Sequence, residues 1–320
     1  MVGAVIVHNE NIIGEGWHYQ AGQPHAEVNA INSVKDKSLL KEATIYVSLE
    51  PCSHFGKTPP CANLIIDYQI PNVVIGCVDS FSEVSGKGIE KLQHNGCNVT
   101  IGVLEEECIA LNKRFFKFHN KKRPYIILKW AESNDAFVAP INNSEITWIT
   151  NTYSRQLVHK LRTEEQAILV GTNTAITDNP KLDARIWKGH NPVRIVLDRT
   201  LKISTDNHLF DGGVKTIVLT DIEKQNSENL FFEVINFSEN IPLQICDVLY
   251  KHQLQSVIIE GGSKTLQSFI DTDLWDEAHV FKGTSIFKDG IKAPKFKGDV
   301  IDSITIKEDT LTLYQNESTP

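Results

Sequence analysis

Pro24-His25-Ala26-Glu27 is answered downstream by Pro51-Cys52 and, after eight intervening residues, by Cys61. One imidazole and two thiolates suit zinc. Three protein ligands leave a tetrahedral ion with one open position, as in catalytic rather than structural sites. Water would fill that position, and zinc lowers the pKa of a bound water to about 7. Glu27 then stands as the proton carrier. Residues i and i+2 of a helix point about 200° apart, so His25 and Glu27 can converge only at a first turn. Pro24 is expected to supply that start. Pro60 repeats the device ahead of Cys61 and the apolar run Ala62 to Ile66, putting Cys61 at the positive end of a helix, where thiolate is favoured. Isolated residues such as His18, His94, Cys77, Cys97, Cys108 and Cys246 read as ordinary surface or core positions. His54 could act as a fourth ligand, which would close the site and make the zinc structural.

His-x-Glu followed by Pro-Cys-x-x-Cys marks zinc deaminases, whose glutamate is acid and base and not a ligand. In this chain Ser53 to Pro60 stand where nucleic-acid deaminases carry two residues. A net charge of −8 also argues against a nucleic-acid partner, since neutralising phosphates takes a basic face. The run Pro-Cys-Ser-His-Phe-Gly-Lys-Thr-Pro-Pro-Cys from Pro51 to Cys61 resembles the deaminase half of the bifunctional riboflavin-biosynthesis deaminase-reductases.

At 320 residues the chain is long for one core, and two domains are expected, 1–121 and 122–320. Val2 to Val7 and Asn11 to Trp17 read as a hairpin around His8 to Asn11. Helical spacing from His25 to Val34, a strand from Ala43 to Leu49, and strands at Val73 to Val78 and Asn98 to Val103 around a helix near Ile89 to His94 predict a three-layer α/β sandwich. Glu105 to Phe118 reads as one helix before the join. From Pro124, strands are expected at Tyr125 to Trp130, Ala167 to Gly171, Val193 to Asp198, Thr216 to Thr220 and Val257 to Glu260, again a parallel-rich α/β pattern. Six cysteines, two of them proposed ligands, fit a reducing compartment better than a disulfide framework. The first apolar run is too short for a signal peptide or a membrane span. A cytoplasmic protein without a membrane partner is expected.

Glu260-Gly261-Gly262-Ser263 follows a strand and opens a helix, the position of an anion site, although a plain strand-to-helix turn is the commoner reading. In order with it come Lys129-x-Ala131-x-Ser133, Trp148-Ile149-Thr150, Leu161-Arg162, Asp178-Asn179-Pro180-x-Leu182, Arg185, and Arg194 to Asp198. These resemble the reductase half of the same family. The resemblance implies a cytidine-deaminase-like domain followed by a dihydrofolate-reductase-like one, with Zn2+ and NADPH as cofactors and a phosphorylated ribosylaminopyrimidine as substrate. It implies that Ala131, Trp148, Thr174, Asp178, Gly262 and Ser263 face the dinucleotide. Arg162, Leu182, Arg185 and Glu260 would face the substrate, the two arginines gripping its phosphate. A homo-oligomer is also expected.

Three departures from the family pattern stand out. Ser133-Asn134-Asp135-Ala136-Phe137 lacks a glycine and a cation, and Ile146 replaces a serine that touches substrate. A helix and an Asn-Pro pair that the resemblance implies ahead of the hairpin do not precede Val2 in this sequence. Either an internal start or a weakened deaminase would follow. A member with only one active half, and a non-catalytic zinc-stabilised ligand-binding protein, are therefore the alternatives to a two-step enzyme.

Overall fold

The computed structural model describes residues 2–20, 22–55, 59–79, 85–141 and 147–318. The chain divides into two compact units, Met1–Lys121 and Lys122–Pro320.

The first unit opens on a hairpin of β1 (Gly3–His8) and β2 (Asn11–Trp17). Asn9 and Glu10 both take positive φ in its two-residue turn, the backbone that matches the twist of paired strands. Then follow α1 (Ala26–Ser33), β3 (Thr44–Leu49), α2 (Cys61–Asp67), β4 (Asn72–Cys77), α3 (Lys87–His94), β5 (Asn98–Ile101), α4 (Glu105–Leu111) and α5 (Lys113–Lys121). The sheet order is β2-β1-β3-β4-β5, with β1 antiparallel to both neighbours and the β3-β4 and β4-β5 pairs parallel. Alternate residues Ile6, Ile45, Val47, Val73 and Ile75 turn to one face and meet Ala30, Ile31, Ile65 and Leu92 from α1, α2 and α3. Fully burying each such aliphatic side chain stabilises the fold by about 1.5–3 kcal/mol.

Two glycines let α1 lie directly on β2. A Cβ at Gly16 would sit 2.4 Å from the Ala30 nitrogen, and one at Gly14 would sit 2.6 Å from the Ala30 carbonyl oxygen. The single helix expected from Glu105 to Phe118 is instead two, α4 and α5. Asn112 interrupts them at φ −113°, ψ 19°, and its side-chain amide donates to the Cys108 carbonyl at 3.3 Å. Asparagine competes for main-chain partners in this way, which disfavours it inside helices.

The second unit runs β6 (Tyr125–Glu132), β7 (Phe137–Pro140), α6 (Thr152–Glu164), β8 (Ala167–Val170), α7 (Thr172–Asp178), β9 (Val193–Leu197), β10 (Thr216–Thr220) and β11 (Leu230–Val234). It continues with α8 (Ile241–Lys251), β12 (Ser256–Ile259), α9 (Ser263–Asp271), β13 (Glu277–Lys282), β14 (Gly290–Lys292), β15 (Asp299–Ile306) and β16 (Asp309–Gln315). Nine strands form one sheet in the order β11-β10-β9-β8-β12-β6-β13-β16-β15. Pairing is parallel from β11 to β13 and antiparallel from β13 through β16 to β15. The central strands are apolar without alternation because both faces are covered. Leu169 and Ile259 point into one core and Ile168 and Ile258 into the other. Between β6 and β7 the chain turns through Ala136 at φ 63°, a left-handed angle that glycine adopts without strain and alanine does not.

Candidate active sites

His25 is the N-cap of α1 and Glu27 lies in its first turn, so the two side chains converge where the helical period would otherwise separate them. Pro24 precedes the cap and is not part of the helix; extended backbone at His25, with φ −69° and ψ 168°, makes the start. Cys52 lies in the loop beyond the carboxyl end of β3, and Cys61 is the first residue of α2. The Cys61 main-chain N–H donates to the Cys52 sulfur at 3.3 Å, and the Ala62 N–H to the Cys52 carbonyl at 3.1 Å. The amino end of α2 therefore holds the first sulfur as well as carrying the second.

The ligand atoms of His25, Cys52 and Cys61 all lie within 4.8 Å of one another. His25 Nδ1 is 3.6 Å from the Cys52 sulfur and 3.4 Å from that of Cys61. With Zn–S of about 2.3 Å and Zn–N of about 2.0–2.1 Å, a tetrahedral N-to-S edge is about 3.5 Å. The donor set fits zinc in kind and in spacing. His54 is not in this cluster among the described residues, so the three ligands form an open tripod and the closed four-ligand site is not built.

Charge is concentrated here. A hydrogen bond with the Cys61 thiol, joined by His25 and opposed by burial, holds Cys52 down at about 4. Cys61 is pushed up as the donor in that pair and by burial. The Cys52 contact raises His25. Glu27, 3% exposed, is raised above the usual carboxylate range by burial. His18, passed over in the sequence, stacks edge-on against the His25 ring at 5.1 Å between centroids, with a buried Nε2 that has no partner. Only its proximity in the fold reveals it.

In the second unit the turns after β8 and β12 meet. The Gly171 N–H donates to the Gly261 carbonyl at 2.8 Å, and a Cβ on Gly262 would lie 3.2 Å from the Thr174 hydroxyl. Two helix amino ends, of α7 and α9, thus stand side by side at the carboxyl edge of parallel strands, where open α/β sheets bind ligands. Ser263 opens α9, but its hydroxyl donates to the Lys292 carbonyl at 2.8 Å. Asp178 ends α7 one turn beyond Thr174, and Ala131 lies near the same end of β6. Trp148 is exposed, with the Arg155 guanidinium 4.3 Å over its ring.

Glu260 follows β12 directly and is gripped by Arg162, Nε to Oε1 at 3.0 Å and Nη2 to Oε2 at 2.8 Å. Arg162 Nη1 donates to the Asp183 carbonyl at 3.0 Å. Arg162 is thus paired with Glu260, and the half-exposed Arg185 rests on Asp183. Leu182 is 2% exposed and its side chain belongs to the core, which leaves only its main chain to meet a ligand. Ile146, Gly56, Lys57 and Thr58 lie outside the described residues. Two residues outside the expected site set join this one. Lys129 on β6 is 3.9 Å from Glu260 and is lowered by burial. His159 on α6 is buried beside the arginines and is held down at about 4 by burial. Lys129 opens the run Lys129-x-Ala131-x-Ser133, but its tie to Glu260 shows only in the fold, and the residue spacings carry no sign of His159.

The family model of the cytidine and deoxycytidylate deaminase zinc-binding region matches residues 1–77, and that of the RibD C-terminal domain matches residues 124–287. A riboflavin biosynthesis protein RibD of Aquifex aeolicus is 40% identical over 295 residues, spanning 91% of this chain and 82% of that protein. The Synechocystis protein of the same name is 37% identical over 306 residues, 94% and 82% of the two chains. A solved Thermotoga maritima diaminohydroxyphosphoribosylaminopyrimidine deaminase/5-amino-6-(5-phosphoribosylamino)uracil reductase superposes with a TM-score of 0.89 at 36% identity, covering 98% of this chain and 91% of that one. The fold is the expected one, a cytidine-deaminase-like α/β sandwich followed by a dihydrofolate-reductase-like α/β unit. At these identities and coverages the chain belongs to the RibD family of riboflavin-biosynthesis proteins.

Proposed function

We propose that residues 1–121 carry the hydrolytic deamination of 2,5-diamino-6-(ribosylamino)-4(3H)-pyrimidinone 5'-phosphate, and residues 122–320 the reduction of its ribosyl group to ribityl. The chain is an enzyme of riboflavin biosynthesis with a zinc-dependent deaminase half and an NADPH-dependent reductase half. The observation that carries the first step is a three-ligand tripod with tetrahedral edge lengths beside a carboxyl that burial raises above the usual range.

Zinc held by His25, Cys52 and Cys61 supplies the acidity that makes water a nucleophile at neutral pH. Glu27 does the proton work. Its raised affinity for a proton suits it to accept one from the attacking water, pass it to a ring nitrogen and later protonate the departing amine, so that ammonia leaves and the ring gains a carbonyl. The unpartnered Nε2 of His18 supports a role in orienting the ring.

NADPH supplies a hydride to C1 of the ribose when it is bound. The paired amino ends of α7 and α9, with Thr174 and Gly262, support binding of its phosphates; Ala131, Trp148, Asp178 and Ser263 complete its side of the site. Arg185 is the cation left for the substrate phosphate. Hydride at C1 requires a matching proton as the ring opens, and buried Lys129, steadied by Glu260, is the donor we assign. The free cysteines and the lack of a described helix long and apolar enough to cross a membrane support a cytoplasmic setting.

The two assignments separate cleanly in one assay. Glu27→Gln is expected to stop NADPH oxidation on the diaminopyrimidine substrate and to leave it intact on substrate deaminated beforehand. Loss of both would refute independent sites.

A further inference from the structure

Glu50 follows β3, precedes Pro51-Cys52 and is 4% exposed. Its Oε1 accepts from the main-chain N–H groups of Gly88 at 2.9 Å and Ile89 at 3.3 Å. Oε2 accepts from those of Gly86 at 3.0 Å and Asp79 at 3.3 Å. The N-cap of α3 is Gly86, with no side chain to offer. Glu50 therefore caps a helix from another element, satisfying the donors that every helix start leaves open.

The next residue is wedged against the same helix. A Cβ on Gly88 would lie 2.0 Å from the Pro51 carbonyl oxygen. One residue further, Cys52 is tied to the start of α2 by its sulfur and its carbonyl. Glu50-Pro51-Cys52 thus bridges two helix amino ends, with the carboxylate fixing one side and the ligand sulfur occupying the other.

We propose that Glu50 is a positioning residue for the metal site: by anchoring Pro51 to the start of α3 it sets where the Cys52 sulfur stands relative to His25 and Cys61. This rests on the reading of those three residues as zinc ligands. A carboxylate is required because it accepts at both oxygens, whereas glutamine would turn an NH2 group toward two N–H donors.

The wild-type chain provides the first test, because it needs no variant to fold. Amide exchange at Gly86, Gly88 and Ile89 is followed in zinc-loaded and zinc-stripped protein. Slowing of about tenfold on loading is expected if the cap and the ligand move together. Equal exchange in the two forms overturns the proposal. Glu50→Gln and Gly88→Ala are then compared with the exposed control Glu90→Gln by chelator competition for zinc and by the cobalt(II)-thiolate absorption. The first two are expected to weaken zinc binding about 10–100-fold and to shift the cobalt spectrum, and the control to do neither. A lowered melting temperature with unchanged zinc affinity and cobalt spectrum would mean that Glu50 only stabilises the fold, against the proposal. Wild-type protein that takes up no zinc would instead refute the ligand assignment itself.

Discussion

Arg162 and Glu260 meet as a fork on a fork, two hydrogen bonds of 3.0 and 2.8 Å, at the carboxyl edge of the larger sheet where little water reaches. Glu260→Gln leaves a buried guanidinium without its counter-charge. Breaking a buried pair from one side costs about 3–5 kcal/mol, so the second unit of this variant should melt well below that of the wild type. An unchanged melting temperature would mean that the pair is solvated in solution.

Acid should act on the same unit in two stages. His159 is held at about 4 against an ordinary 6.5 by burial, so its contribution is present above pH 6.5 and is lost as pH falls toward 4. Burial pushes Glu260 up, but Arg162 and Lys129 outweigh it and hold the carboxyl at about 2 against an ordinary 4.5. Its contribution is present above pH 4.5 and is lost as pH falls toward 2. Melting temperature against pH should fall in both windows, and His159→Gln should remove the slope of the upper window while retaining the lower.

Ala136→Gly should stabilise the second unit. Alanine at φ 63° carries a penalty of about 1–2 kcal/mol that glycine escapes, partly offset by the greater freedom of glycine in the unfolded chain. The net expectation is a gain of about 1 kcal/mol, or about 2–4 °C in a unit of this size. Differential scanning calorimetry reads it directly, and a fall in melting temperature would contradict it.

Gly16→Ala should harm the deaminase and spare the reductase. The new methyl would lie 2.4 Å from the Ala30 nitrogen, so α1 must shift, and with it His25 and Glu27. Ammonia release should drop at least about tenfold, as small misplacements of catalytic groups do, while NADPH oxidation on deaminated substrate stays at the wild-type rate.

The zinc site was legible because its chemistry is local: ligand types, prolines and the +2 glutamate stand in short runs around His25, Cys52 and Cys61. Strand positions were legible for a similar reason, since buried strands such as Ala167–Val170 are continuous apolar runs. What the residues could not disclose depends on contacts across long separations. Arg162 and Glu260 both read as substrate-facing residues, and their pairing across 98 residues shows only in the fold. That the Leu182 side chain lies in the core also shows only in the fold. His18 and His159 are unremarkable histidines until burial leaves each with an unpartnered ring nitrogen. The break at Asn112 was also hidden, because the periodicity on its two sides runs on as if one helix continued.

The central claim is that the tripod and Glu27 together make a working deaminase. The measurement that tests it is ammonia release from the diaminopyrimidine ribosylamine phosphate by zinc-loaded chain, beside zinc content and the Glu27→Gln variant. The account predicts stoichiometric zinc in both proteins and ammonia from the wild type alone, with NADPH consumed only afterwards. Stoichiometric zinc without ammonia from the wild type would contradict it, and would leave the tripod a structural centre beside a reductase.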